Sequence, residues 1–244
     1  MTVVVGYLDK KEHKLYMGAD RCVSYADRKL TLNHPKFTMF EIDGIHGELL
    51  LGWAGMYKNI QLLQHTFQPP PHNTSNSVEK YLAVDFIDAL QKCLFERVVP
   101  TPNDEGILSG YMGLLILYSG RIFTIDGDFC LVESDMHYNA IGSGENFSLG
   151  ALHALSLVDV EDELTAEQQV LVALHSAEKY SNSVEEPFDI ESIDIPEYCR
   201  WYLAEDEDTD ESVAEQVELL KTSPPPPVEK KKTATNSKLD KNQK

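Results

Sequence analysis

The second residue of the chain offers a route to hydrolytic chemistry. Thr2 follows Met1 and opens a run of β-branched residues that continues through Val5. Methionine is commonly removed before a residue as small as threonine, and its removal would give Thr2 a free α-amino group. Such an amine titrates at a pH of about 8, so its neutral fraction can act as general base for the hydroxyl of the same residue. Thr2 alone could therefore supply both the nucleophile and the base.

Motifs for other catalytic chemistries are missing from the sequence. It contains no H-E-x-x-H zinc motif, no G-x-S-x-G nucleophile elbow, no Walker loop and no EF-hand loop. The 8 histidines are scattered. The four cysteines show no C-x-x-C spacing: Cys22, Cys93, Cys130 and Cys199. We therefore expect neither a metal nor a cofactor, and we expect the cysteines to be reduced thiols.

Charge and hydropathy narrow the classes of partner. The formal net charge of −19 argues against nucleic acid, because binding to phosphate needs a positive field. No apolar run approaches the roughly 18 residues that a membrane span needs. The first residues lack the basic start and the apolar core of a signal peptide. The sequence therefore predicts a cytoplasmic protein without a membrane or nucleic-acid partner.

The elements that follow Thr2 are predicted to be strands and then helices. β-branched and alternating patterns predict a hairpin from residues 2–8 and 14–20, and two further strands at 36–42 and 48–54. Apolar residues at helical spacing then predict a helix over 57–67. The hairpin would place Thr2 at the start of the first strand of a sheet.

The rest of the chain repeats this order. A helix is predicted over 77–98, with five apolar residues on one face: Tyr81, Val84, Ile87, Leu90 and Leu94. Strands are predicted at 111–118, 121–125, 129–132, 139–141 and 188–193, and helices after Gly144 and at the capping box of Thr165 and Gln168. Runs of strands followed by runs of helices favour an α+β fold. We predict a four-layer αββα sandwich, in which two sheets are buried between two helical layers.

Five segments of the sequence resemble the proteasome β subunits and, more closely, the bacterial HslV peptidase. They are Thr2-Val3-Val4-Val5-Gly6, Met17-Gly18-Ala19-Asp20, Lys36-Phe37-Thr38-Met39-Phe40, Gly52-Trp53-Ala54-Gly55 and Ala140-Ile141-Gly142-Ser143-Gly144-Glu145-Asn146. The last segment is similar to the strand-to-helix junction of that family. The resemblance spans about residues 2–193 and implies a divergent N-terminal nucleophile (Ntn) hydrolase.

The resemblance also implies a role for each matching residue. Thr2 would attack the scissile carbonyl through its hydroxyl. Lys36 would lower the proton affinity of the Thr2 amine and stabilise developing negative charge, and Asp20 would keep Lys36 ionised and in place. The backbone N–H of Gly55 would donate to the oxyanion, and Ser143 would orient the amine.

A sixth residue, Ser183, matches less directly. Many proteasome subunits carry an aspartate and a serine after the last core helix; here Ser183 could supply the serine, while Tyr180 stands about where the aspartate would be. The HslV branch also lacks that aspartate, so the difference favours that branch. Taken singly, the site residues have simpler roles: a hairpin turn for Asp20, an edge lysine for Lys36, a break before a helix for Gly55 and an N-cap for Ser143.

The implied function is that of a threonine-type peptidase that hydrolyses unfolded polypeptides. The resemblance further implies a ring of identical subunits and a separate ATPase as unfoldase, since the sequence has no nucleotide motif. Two alternatives remain open: a catalytically silent structural subunit of the same fold, and an Ntn amidohydrolase that acts on a small amide.

The domain is predicted to end before the C-terminal tail. We assign residues 2–202 to the Ntn-hydrolase domain and residues 203–244 to a tail. The tail begins with the acidic block at residues 205–211 and then contains four consecutive prolines at 224–227 and a lysine-rich terminus. This composition predicts disorder.

Overall fold

Two antiparallel sheets form the centre of the structure. The computed structural model describes residues 2–25, 28–44, 47–73, 75–96, 112–157 and 164–203. These residues belong to one unit of the chain. The predicted tail from residue 204 onward lies outside the described residues, and its disorder stays a prediction.

The strands and helices follow each other in the predicted order. The strands are β1 (Val3–Asp9), β2 (Lys14–Asp20), β3 (Cys22–Tyr25), β4 (Arg28–Thr31), β5 (Phe37–Ile42), β6 (Gly47–Gly55), β7 (Met112–Tyr118), β8 (Arg121–Ile125), β9 (Leu131–Glu133), β10 (Tyr138–Gly142) and β11 (Phe188–Asp194). The helices are α1 (Tyr57–Thr66), α2 (Val78–Lys80), α3 (Ile87–Phe95), α4 (Glu145–Ser156) and α5 (Ala166–Tyr180). A π-helical turn, Tyr81–Phe86, joins α2 to α3, and a 3-10 helix spans Glu197–Leu203.

The first sheet carries the N-terminus at its centre. Its strand order is β10-β1-β2-β11, and every neighbouring pair is antiparallel. The second sheet has the order β5-β6-β7-β8-β9, and the strands β3 and β4 form a separate hairpin. Because β1 lies between β10 and β2, residues of both neighbours flank its first residues.

The buried residues form three clusters, which fill the three spaces between four layers. One cluster lies between the two sheets and includes Val4, Met17, Leu50, Leu115 and Ile141. A second packs the five-stranded sheet against α1–α3, with Trp53, Leu63, Phe86 and Leu90. The third packs the four-stranded sheet against α4 and α5, with Val3, Val5, Leu152 and Leu174. The order helix, sheet, sheet, helix confirms the predicted αββα sandwich.

Burial on both faces explains the continuous apolar runs of the central strands. In β6, Leu49 and Leu51 face the helices, and Leu50 faces the other sheet. Gly52 has no room for a side chain, since a Cβ there would lie 2.6 Å from the Val4 side chain across the interface. A strand that is covered on both sides needs no polar residue within it.

The second helix departs from the predicted apolar face. Val84 is 48% exposed, whereas Leu82 and Phe86 are buried. The π-helical turn at Tyr81–Phe86 contains one residue more than an α-helical turn, so the residues that face the core are displaced by one position there. The prediction for Val84 was therefore wrong, while Tyr81, Ile87, Leu90 and Leu94 are buried as predicted.

Two short elements were not predicted. In the β3–β4 hairpin every residue of β4 is exposed, so the strand lacks the alternation that identifies a half-buried strand. The 3-10 helix Glu197–Leu203 overlaps the predicted start of the tail. In the described part of the chain, every helix is too short or too polar to cross a membrane.

Candidate active site

Thr2 lies buried at the start of β1, where it is held by the junction between β10 and α4. Its exposed fraction is 4%. The Thr2 backbone nitrogen donates to Ser143 Oγ at 3.2 Å. The Thr2 carbonyl oxygen accepts from Ser143 Oγ and from the Gly144 nitrogen, both at 3.3 Å. The orientation of the Thr2 backbone is therefore fixed at both polar atoms.

Gly142 makes this close approach sterically possible. It is the last residue of β10, pairs with Val3 and has a φ of 99°, which disfavours any residue with a side chain. A Cβ at this position would lie 2.3 Å from the Thr2 carbonyl oxygen. The glycine in the segment that resembles the family junction is thus required by its contact with Thr2.

Asp20 and Lys36 form a buried ion pair beside the first strand. Their exposed fractions are 0% and 1%, and Lys36 Nζ lies 2.8 Å from Asp20 Oδ1. The same carboxylate oxygen accepts the N–H of Val3 at 2.9 Å. The ammonium group and the amide that follows Thr2 therefore meet on one oxygen atom.

Further backbone contacts complete the environment of this pair. Lys36 Nζ donates to the carbonyl oxygen of Cys22 at 2.5 Å, and Asp20 Oδ2 accepts the N–H of Cys22 at 3.0 Å. Burial lowers the pKa of Lys36, and the attraction of Asp20 opposes that shift. Burial likewise raises the pKa of Asp20, against the attraction of Lys36 and the two backbone donors. Each group therefore depends on the other for its charge.

Gly55 ends β6 at the end of the sandwich where Thr2 lies. Its φ is 127°, and Met56 follows it as the N-cap of α1. The preceding residue, Ala54, lies close to the Thr2 junction, since its Cβ would be 3.3 Å from a Cβ built on Gly142. The end of β6 is bound to the residue before β5 by the hydrogen bond from the Trp53 nitrogen to the Lys36 carbonyl. Gly55 itself is exposed.

Ser183 is buried behind Ser143 and does contact it. The two hydroxyl oxygens lie 2.9 Å apart, and only 1% of Ser183 is exposed. Tyr180, the residue at the position of the family aspartate, is 70% exposed, and its ring lies 5.7 Å from that of Phe147. A further hydroxyl, Ser181 Oγ, lies 2.8 Å from Ser183 Oγ. The sequence reasoning missed Ser181, because no motif there distinguishes one serine of the segment from another.

Two other features lie outside this site. A cavity of about 370 Å³ lies at the opposite end of β1, where it is lined by the turn at residues 9–12 and the start of α5.

On the surface, the side chains of His175, Glu178 and Glu186 approach one another within 4.8 Å. The two carboxylates face opposite nitrogens of the His175 ring, an arrangement that suits a ring held between carboxylates better than one shared metal ion.

Comparison with known proteins gives structural neighbours only. No protein-family model matches the chain, and no curated protein is significantly similar to it. Among solved structures, BPH from Thiobacillus denitrificans has a TM-score of 0.63 and 20% identity and covers 81% of this chain and 100% of its own. HslV from Trypanosoma brucei has a TM-score of 0.52 at 20% identity, over 78% of this chain and 98% of its own.

A third neighbour covers more of the chain. Anbu from Hyphomicrobium sp. strain MC1 has a TM-score of 0.56 at 16% identity and covers 93% of this chain and 100% of its own. At such identities the comparison establishes the fold and no catalytic property. The geometry of the sandwich and these three neighbours together show that the chain has the fold of the proteasome-like Ntn hydrolases.

Proposed function

We propose that this protein is a threonine-type peptidase that hydrolyses peptide bonds of unfolded polypeptides, with Thr2 as nucleophile after removal of Met1. The proposal rests on the contacts around the Thr2 nitrogen. Ser143 Oγ binds this atom at 3.2 Å, and Asp20 links the next amide to the Lys36 ammonium. Each of these residues was assigned from its own segment of the sequence, and in the fold they lie around the first two residues, Thr2 and Val3.

The proposed reaction uses the Thr2 amine as a proton carrier. The neutral amine takes the proton of the Thr2 hydroxyl as its oxygen bonds to the scissile carbonyl carbon. The resulting ammonium gives that proton to the nitrogen of the leaving segment, whose bond to carbon breaks. Water then hydrolyses the ester on Thr2 by the same route and releases the acid.

Two groups would stabilise the charge that develops on the substrate. The Gly55 N–H is proposed to donate to the oxyanion, since Gly55 is an exposed residue that follows Ala54 at the Thr2 junction. The Lys36 ammonium adds a positive charge close to the nucleophile, which favours the neutral form of the amine and the negative oxyanion. Asp20 keeps that ammonium in place through its short contact with Nζ.

The test begins with the mass of the intact protein. A mass without Met1 is expected; retained Met1 would leave Thr2 without a free amine and defeat the catalytic proposal. The second step uses an epoxyketone, because its cyclic adduct needs a hydroxyl and a free α-amine on one residue. One of the BPH structures is a complex with epoxomicin, so we propose the same reagent here. We expect one adduct on Thr2, none on Thr2→Ala, and peptide hydrolysis that Thr2→Ala abolishes.

The alternatives make different predictions in the same experiments. A catalytically silent structural subunit would form no adduct on Thr2 even when Met1 is absent. An amidohydrolase would form the adduct but would leave unfolded polypeptides intact and cleave a small amide. Self-assembly and a separate ATPase unfoldase are part of the proposal; for a neighbour of the same fold, Anbu from Pseudomonas aeruginosa, a helical assembly has been solved.

A further inference from the structure

Three serine hydroxyls form a continuous chain of hydrogen bonds that ends on the Thr2 nitrogen. Ser143 Oγ accepts from that nitrogen at 3.2 Å and lies 2.9 Å from Ser183 Oγ. Ser183 Oγ in turn lies 2.8 Å from Ser181 Oγ. Ser181 is the residue that follows α5 and caps its C-terminus. The chain thus runs from the proposed catalytic amine to the end of a core helix.

The chain is neutral along its described length. Within the residues that the structure describes, the three hydroxyls bind one another, the Thr2 backbone and the N–H of Ser183, which donates to Ser181 Oγ at 3.4 Å. Ser183 is 1% exposed, whereas Ser181 is half-buried. Tyr180 points away, with 70% of its surface exposed. The polar group behind Ser183 is therefore the Ser181 hydroxyl, and it carries no charge.

The available protons favour one direction along the chain. Ser143 Oγ accepts from the Thr2 nitrogen, which leaves its own proton for Ser183 Oγ or the Thr2 carbonyl oxygen. Ser181 Oγ already accepts the Ser183 N–H and, being half-buried, can donate outward to water. A hydroxyl that donates becomes a better acceptor, so hydrogen bonds aligned in one direction strengthen each other. Aligned in this way, the chain makes Ser143 Oγ a stronger acceptor for the amine.

We propose that Ser181 is a positioning residue, which acts through Ser183 and Ser143 to orient the Thr2 amine and support its protonated form during turnover. The inference extends the proposed function and names a residue that the motif resemblance did not. Because the chain contains no carboxylate, it orients the amine without adding a negative charge. A carboxylate in the same place would hold the amine protonated, whereas the neutral chain fixes its orientation through Ser143 Oγ.

The experiment changes the charge and the hydroxyl of Ser181 separately. Protein that begins at Thr2, released from a cleavable leader, is compared with Ser181→Ala, Ser181→Thr, Ser181→Asp and Ser181→Asn. Asn matches Asp in shape without the charge. The control is Ser176→Ala, which removes an exposed hydroxyl on the same helix that donates to the Phe147 carbonyl.

Two readouts are used, of which one needs no catalysis. The first is the pH dependence of acylation of the Thr2 amine, read by mass spectrometry of the N-terminal peptide; its midpoint is the pKa of the amine. The second is kcat and KM on an unfolded polypeptide. For Ser181→Asp we expect the amine midpoint to rise by about half a unit to one unit, because the new carboxylate would lie three hydrogen bonds from the amine, and we expect no rise for Ser181→Asn.

For the hydroxyl itself we expect a loss in turnover and not in binding. Ser181→Ala should lower kcat by about three- to tenfold with KM unchanged, and Ser181→Thr should restore it to within about twofold. Ser176→Ala should match the parent in both readouts. An unchanged midpoint in Ser181→Asp, or a kcat of Ser181→Ala equal to that of Ser176→Ala, would overturn the inference. If the parent forms no epoxyketone adduct and cleaves nothing, the proposed function fails, while the role of Ser181 is still decided by whether Ser181→Ala lowers the amine midpoint and Ser181→Thr restores it.

Discussion

The ion pair of Asp20 and Lys36 has an energetic consequence besides its proposed catalytic role. Both groups are almost completely buried, and burial of a charge is costly unless a partner compensates it. Asp20 is also bound by the backbone nitrogens of Val3 and Cys22. The pair therefore connects three parts of the chain next to Thr2, and its two members cannot be removed independently.

Removal of the ammonium alone is predicted to destabilise the fold. Lys36→Met leaves a buried carboxylate without its partner, which costs about 3 to 5 kcal/mol in the free energy of unfolding. The double variant Lys36→Met with Asp20→Asn removes the charge as well, so it should be more stable than the single variant. Neither should hydrolyse peptides. Urea denaturation and a turnover assay give the two quantities.

The pH dependence of that variant provides a sharper check. Without Lys36 the folded-state pKa of Asp20 is raised above its unfolded value even further, so Lys36→Met should gain stability as the pH falls and lose it as the pH rises. Lys14→Met, at a half-exposed lysine, serves as control and should change stability by less than about 1 kcal/mol. Equal stability of the single and double variants would show that the carboxylate is not left unpaired.

At the scale of single residues, the sequence identified three positions near Thr2 and missed Ser181, which is linked to Thr2 only through two other hydroxyls. Asp20, Lys36 and Ser143 stand in motifs with a fixed order along the chain, so resemblance alone located them. Ser181 depends on the way the chain turns after α5, and that turn brings its hydroxyl to Ser183. Such a contact follows from backbone geometry and leaves no periodic signal in the sequence.

At the scale of elements, alternation and helical spacing located the main strands and helices. They failed where an element has no apolar face, as in β4, and where a helix changes its period, as in the π-helical turn before α3. Both failures have the same physical origin, since a pattern predicts a face only if the repeat is regular and one side is buried. The proline-rich segment after α1 is a third case, because a buried histidine and the hydrogen bond from Tyr81 Oη to the Pro70 carbonyl attach it to the core.

That histidine, His72, is predicted to make stability depend on pH. It is fully buried: Nδ1 lies 2.9 Å from Tyr118 Oη and Nε2 lies 3.0 Å from the Asn76 carbonyl. The ring stacks on Tyr81 at 4.3 Å. The Asn76 carbonyl accepts a hydrogen bond from Nε2–H and the Tyr118 hydroxyl can donate to Nδ1, so these contacts suit the neutral ring. Burial lowers the pKa of His72, against a weaker attraction from Asp85.

The lowered pKa of His72 determines how stability changes with pH. Below a pH of about 6.5, His72 is protonated in the unfolded chain but stays neutral in the folded chain. The free energy of unfolding therefore falls as the pH drops, by up to about 1.4 kcal/mol per pH unit. His72→Asn should be less stable at pH 8 but should lose less stability between pH 7 and pH 5. His65→Asn, at an exposed histidine of α1, should keep the slope of the parent. Denaturation series at several pH values measure these slopes, and a slope unchanged by His72→Asn would contradict the assignment.

At the scale of the whole molecule, the layered core follows from the sequence while the outer surface does not. Central strands that are apolar on both faces demand a cover on each side, and this requirement leads to the αββα sandwich. The outward residues of α4 and α5 are not determined by this packing requirement. Several are apolar and exposed: Phe147 at 39%, Leu157 at 73%, Val172 at 40% and Tyr180 at 70%. Association of these surfaces with another copy of the chain depends on the charge of the chain as well as on its exposed apolar residues.

The proposed self-assembly is predicted to depend on ionic strength. Each chain carries a formal net charge of −19, so copies repel one another at long range, and salt screens this repulsion within about 10 Å at 0.1 M. Apolar contacts between outer helices are not weakened by screening. Light scattering after gel filtration should therefore give a mass above that of the 27.5 kDa chain, with a larger assembled fraction at 0.5 M than at 0.05 M salt. Tyr180→Lys should reduce that fraction, whereas Val132→Lys, which makes the same change of charge at an exposed apolar residue of β9, should not. A constant mass of one chain at every salt concentration would exclude the ring, and the peptidase would then have to act as a monomer.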